Sequence, residues 1–161
     1  MYVDFNELPK NSKVWIYQSI RKFNDTEIKN IHELLTSFVQ TWKDHGKNVT
    51  GSFQIKYHQF IIIALDNKDT NVPGCVIDAS IRVLREIELR YQVDLLNKFN
   101  ITYRENGSIN IVKLLDFKKL INESKINKDT IVFNGMVSNI QEFESLWEVP
   151  VKQSWHQKYF N

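Results

Sequence analysis

The chain has 161 residues, of which 42% are apolar and 25% charged, enough to build a sizeable core and too apolar for intrinsic disorder. Its 21 basic and 19 acidic residues leave a net charge of +2. The basic residues are spread along the chain, which argues against the concentrated basic face of a nucleic-acid binder.

The first segment to stand out is Val14, Trp15, Ile16 and Tyr17. It is β-branched and aromatic, and it reads as a strand buried on both faces. Asn24 followed by Glu27 has the spacing of a capping box. Beyond it Ile28, Ile31, Leu35, Phe38, Val39 and Trp42 recur at three and four, the stripe of an amphipathic helix. Gly46 is the expected stop, with Lys43 and His45 in the last turn. Phe53, Ile55 and Tyr57 alternate with polar residues as in a half-buried strand. His58 and Gln59 make the turn, and the apolar run from Phe60 to Leu65 reads as a central strand. That run is far short of the ~20 apolar residues of a membrane span.

Residues 66–74 form a loop. A second helix starts near Cys75 or Val76, with Ile77, Ile81, Leu84, Ile87, Tyr91 and Leu95 as its buried stripe. Asp78 to Arg82 and Glu86 to Arg90 are acid-first pairs four apart. Asn106-Gly107 suits the two-residue turn of a hairpin, because both central residues of a type I′ turn need positive φ. A helix over 115–121, a strand over 130–133 and a helix over 140–147 follow. The tail ends in Trp155, His156, Tyr159 and Phe160. With no linker, the whole of 1–161 is read as a single α+β domain.

The order β-α-β-β-α-β matches a ferredoxin-like split β-α-β core, extended by C-terminal β-α-β elements and the aromatic tail. Two long helices cover one sheet face. The tail or a dimer partner is left to cover the other.

Several chemistries fail on their residues. The stretch 46–52 has two glycines, but the lysine of a phosphate loop is missing and the order is helix to strand. No paired His or Cys spacing suggests a metal, and no cofactor is expected. The third strand lacks the exposed aromatics of an RNA-recognition module. Cys75 is the candidate nucleophile, since a helix N-terminus favours a thiolate, but no histidine is placed near it by sequence. As the single cysteine it forms no internal disulfide. Asp4 and Glu7 near the start, without an apolar stretch, argue against a secretory leader, so a reduced cytoplasmic setting is expected. Asp78, Arg82, Trp147, Trp155 and His156 are the candidate binding residues.

Five blocks carry a family likeness: Met1-Tyr2-Val3, Leu8-Pro9, Val14 to Gln18, Gly74-Cys75 with Ile77 to Ser80, and Trp147 to His156. Together they resemble an uncharacterised family of short bacterial proteins often labelled "ABC transporter ATPase", although lacking a phosphate loop. The likeness spans nearly the whole chain and implies no specific activity. The expectation is a non-enzymatic binding or assembly module, forming a homodimer or meeting a protein partner. The alternative is a small thiol-dependent enzyme using Cys75, and an ATPase is disfavoured without the phosphate loop.

Overall fold

The computed structural model describes residues 1–68 and 72–160. The fold is α+β and divides into two compact units. The first is Met1–Leu96 with Ser138–Ile140, and the second is Asn97–Val137 with Gln141–Asn161. No change of composition marks the division. The middle of the expected 66–74 loop, residues 69–71, lies outside the described residues. Among the described residues no helix is long and apolar enough to cross a membrane.

The first unit is built on a three-stranded antiparallel sheet. Its strands are β1 (Lys13–Gln18), β4 (Gly51–Lys56) and β5 (Phe60–Leu65), in the order β1-β5-β4. β5 is buried along its whole length, which is why its apolar run lacks alternation. Helices α1 (Asp25–Thr41) and α2 (Gly74–Tyr91) share a core with one face of this sheet, through Ile31, Leu35, Val83 and Leu84 against Tyr17, Phe53, Ile61 and Ile63. On the opposite face Val14, Phe60, Ile62 and Ala64 are also buried. These three strands reproduce the split β-α-β order, with β5 between β1 and β4. The ferredoxin-like expectation goes no further, because the next long strand joins a different sheet. A short segment takes the free edge of β1 instead: Asn139 bridges Lys13, the Val14 amide donates to the Ser138 carbonyl, and the Ile140 amide donates to the Ser12 carbonyl.

Helix α1 starts where its capping box predicts. The Glu27 amide donates to Asn24 Oδ1 at 2.8 Å, and the Asn24 amide donates to Glu27 Oε1 at 3.0 Å. Glu27 also takes both guanidinium nitrogens of Arg21 at 2.8 Å, and Arg21 reaches the Tyr91 carbonyl at the end of α2. The Arg21 hydrogen bonds hold the Glu27 carboxyl down from 4.5 to about 2, against a smaller opposing effect of desolvation. A depressed carboxyl stabilises the fold above its unfolded pKa and loses that contribution as pH falls through its folded one. The bare shift corresponds to about 3 kcal/mol, but Arg21 is 43% exposed and solvent screens the pair. Glu27→Gln should therefore cost about 1–2 kcal/mol at neutral pH. In urea titrations the gap to wild type should close between pH 4.5 and about 2.

The end of α1 differs from expectation. The helix stops at Thr41, and Trp42 is already extended. A small hairpin follows, β2 (Lys43–Asp44) with β3 (Lys47–Asn48), turning on His45 and Gly46 at φ 46° and 83°. Positive φ at both residues is incompatible with a helical turn, so Gly46 serves a tight hairpin rather than a helix cap. The stretch 46–52 thus leads into β4 and not into a helix.

In α2 the buried positions are Val76, Ser80, Val83, Leu84 and Ile87, while Ile77, Ile81 and Tyr91 are only partly buried. The stripe is rotated from the expected one. Buried Ser80 is the reason: its hydroxyl donates to the Ile77 carbonyl and bonds Tyr17, a polar anchor that apolar periodicity does not register. Leu95 is buried beyond the helix, where Glu88 Oε2 accepts from the Leu95 and Leu96 amides. Glu86 pairs with Arg90 at 2.7 Å, but no ion pair joins Asp78 to Arg82 among the described residues.

The second unit holds β6 (Asn100–Glu105), β7 (Ser108–Lys113), β8 (Ile131–Phe133) and β9 (Glu148–Pro150), in the order β7-β6-β8-β9. Asn106 and Gly107 make the β6–β7 turn with positive φ at both, as the dipeptide implies. Ile101, Tyr103, Val132 and Val151 form its core with Phe117 of α3 (Leu114–Asn122). Phe143, on α4 (Ile140–Leu146), and Trp147 pack their rings 4.9 Å apart, and Trp147 lies edge-on to Phe133 at 5.1 Å.

Candidate functional site

The structure separates the residues singled out from sequence. Trp147 is a core residue of the second unit. His156 is also buried there, stacked on Trp155 at 3.9 Å, with Nδ1 2.6 Å from Ser154 Oγ. Burial, reinforced by the charge of Lys158, pushes its pKa down from 6.5 to about 4. It is a neutral packing residue at physiological pH. Asp78 and Arg82 stand exposed on α2. Of the tail candidates, Trp155 lines an open cavity.

That cavity is a groove of about 580 Å³ within the second unit. Phe99, just before β6, Leu115 in the first turn of α3, and Met136, after β8, contribute its apolar surface. They are 86%, 79% and 74% exposed, respectively, far more than side chains of that size usually are. Ile101, Leu114, Trp155 and Tyr159 complete the apolar lining. Lys98, Lys113 and Lys158 also line it, and among the described residues no acidic side chain does. Lys158 lies over the Trp155 and Tyr159 rings at 5.0 and 5.2 Å. Among the described residues Trp155 Nε1 is shielded from solvent and has no hydrogen-bond acceptor.

Sequence reasoning missed most of this groove. Phe99 falls between elements, Leu115 reads as part of a helix stripe, and Met136 sits in a turn. None belongs to a motif. The visible signal was the aromatic density of the tail, which supplies Trp155 and Tyr159 but not the exposed wall.

Cys75 is exposed at the second residue of α2. The β2–β3 hairpin brings Asp44 and His45 to it, and one ligating atom from each of the three lies within 4.8 Å of the others. Spacing along the chain could not show this, because the three residues come from a hairpin and a helix distant in sequence. Trp42 supplies the link: it directly precedes the hairpin, and its Nε1 donates to the Val76 carbonyl, one residue past Cys75, at 3.0 Å. Gly51 lets the indole approach, since a Cβ there would meet the Trp42 ring at 3.3 Å and the Ala64 carbonyl oxygen at 2.9 Å.

Comparison of the chain with models of protein families, with curated proteins and with solved structures finds no match in any of the three.

Proposed function

We propose that this protein is a non-enzymatic binding module whose second unit captures an acidic, apolar segment of a partner protein. The observation that carries the reading is the combination of exposed Phe99, Leu115 and Met136 with a lining that, among the described residues, holds three lysines and no carboxylate side chain. Exposed apolar side chains gathered at one groove mark an interaction surface. Each would contribute about 1.5–3 kcal/mol if fully buried by a partner. The lysines select the sign of that partner's charge and speed its approach.

The family proposed from sequence fits this reading in lacking a phosphate loop, and the single unpaired Cys75 suits a cytoplasmic setting. Thiol chemistry at Cys75 is the second reading, favoured by the imidazole of His45 beside it.

Two synthetic amphipathic helices test the proposal, one of Leu and Glu and one of Leu and Lys, with tryptophan fluorescence and calorimetry as readouts. The Leu/Glu peptide should bind in the groove and the Leu/Lys peptide should not. Leu115→Ser with Met136→Ser should weaken binding at least about tenfold, and Lys98→Glu with Lys113→Glu should reverse the charge preference. Equal binding of both peptides, or binding untouched by these surface changes, would remove the basis of the reading. Light scattering of the free protein decides whether a second copy is the occupant instead.

A further inference from the structure

We propose that Asp44, His45 and Cys75 form a binding site for a divalent cation of the zinc class, independent of the groove. Three side chains with three different ligand atoms converge here, a carboxylate oxygen, an imidazole nitrogen and a sulfur, all within 4.8 Å of one another. Asp44 Oδ1 lies 3.6 Å from His45 Nε2. Tetrahedral bonds of about 2.0–2.3 Å place neighbouring ligand atoms about 3.3–3.8 Å apart, so this edge is already correct. The Cys75 sulfur is at most 4.8 Å from the other two, so it has at most about 1.5 Å to close, and its exposed side chain has room to turn.

A second observation points to a ligand. Among the described residues Asp44 Oδ1 makes no hydrogen bond; its neighbour is the His45 imidazole at 3.6 Å, which is itself a ligand of the proposed site, although the Asp44 side chain as a whole is 34% exposed. A cation between them would give this oxygen the partner it lacks. The set of donors selects the metal. Calcium and magnesium require oxygen ligands, whereas a thiolate with an imidazole and a carboxylate suits zinc, cobalt or a neighbour in that series. Three protein ligands leave one coordination position open for water or an external ligand.

The scaffold holds the two halves of the site together. His45 and Gly46 form the tight turn of the hairpin, Asp44 ends its first strand, and the Trp42 indole ties the hairpin to the start of α2. His45 is 80% exposed on its side chain, so replacing it opens no cavity, and because its φ is 46° the modest cost of alanine to the turn is read by the unfolding control.

The test is a cobalt(II) titration of the full chain, kept reduced with a phosphine, followed by near-ultraviolet and visible absorption. One equivalent should bind and give a thiolate-to-cobalt charge-transfer band with tetrahedral visible bands. Cys75→Ser should abolish the charge-transfer band. His45→Ala and Asp44→Asn should each weaken binding at least tenfold, with thermal unfolding confirming that the variants are folded. Zinc should displace cobalt and protect Cys75 from iodoacetamide. If Asp44→Asn does not fold, His45→Ala alone decides. Absence of the band at stoichiometric cobalt, or unchanged affinity in His45→Ala, would overturn the proposal, the second result meaning that an isolated thiol was binding the metal.

Discussion

Replacing Trp42 by alanine should lower stability by about 3–5 kcal/mol, the largest effect expected of any single change in the first unit. Trp42 is among the largest fully buried side chains. It packs on Phe38 at a ring distance of 5.0 Å, fills the space that Gly51 leaves open, and donates to the Val76 carbonyl. Alanine removes all of this and opens a cavity between α1, the sheet and α2. Urea denaturation should show the midpoint falling with little change in slope, the mark of lost stability rather than a changed denatured state. Trp42→Phe separates the contributions. It keeps an aromatic ring but loses the N–H donor, so about 1–2 kcal/mol should go with the hydrogen bond and the smaller ring. The same variant retains Asp44, His45 and Cys75, yet cobalt binding should weaken, because the hairpin is no longer tied to the helix that carries the thiol. Full cobalt affinity in Trp42→Phe would show that the hairpin is positioned by something else.

The second large effect is a loss of stability on mild acidification, centred on His156. Its folded pKa is about 4, depressed by burial and by Lys158, against 6.5 when exposed. Above 6.5 neither state carries the proton. As pH falls below 6.5 the unfolded chain takes it up while the folded protein does not, so stability declines until the folded pKa is passed. The side chain is almost wholly buried, so the full shift applies, about 3 kcal/mol between pH 6.5 and 4. His156→Gln should be less stable at pH 7, because it loses the stacked ring and the packing on Phe117. Across the same window its stability should change far less than that of wild type. Parallel slopes in the two proteins would assign the acid sensitivity to other groups.

What could be read from sequence was local. The capping box of Asn24 and Glu27 and the Asn106-Gly107 turn each depend on residues within a few positions, and both form as read. The longer strands were found because β-branched and aromatic runs are dense where burial is two-sided, as in β5, whereas the two-residue strands β2 and β3 were not, β2 having the sequence of a helix end. Pairing between distant segments was not legible. β6 has the sequence of a strand, but nothing in it says that its neighbours are β7 and β8 rather than β1. The same limit hid the cation site. Asp44 and His45 looked like the end of a helix until the positive φ of His45 turned them into a hairpin that meets Cys75. In α2, Ser80 occupies a buried position because it has a hydroxyl partner, and a hydrophobic stripe drawn through apolar residues passes it by.

The segment Ser138–Ile140 has a consequence for how the chain must be made. The outer edge of β1 takes its hydrogen bonds from residues that a ribosome adds more than a hundred positions later. Until they emerge, the nascent first unit carries a strand with unpaired N–H and C=O groups, open to any other strand that passes. Dissection at the boundary after Leu96 would make that transient condition permanent. The boundary after Leu96 is therefore a poor cutting point for separate expression, and the 138–140 segment acts as a clasp that closes the first unit only after residues 97–137 have been made.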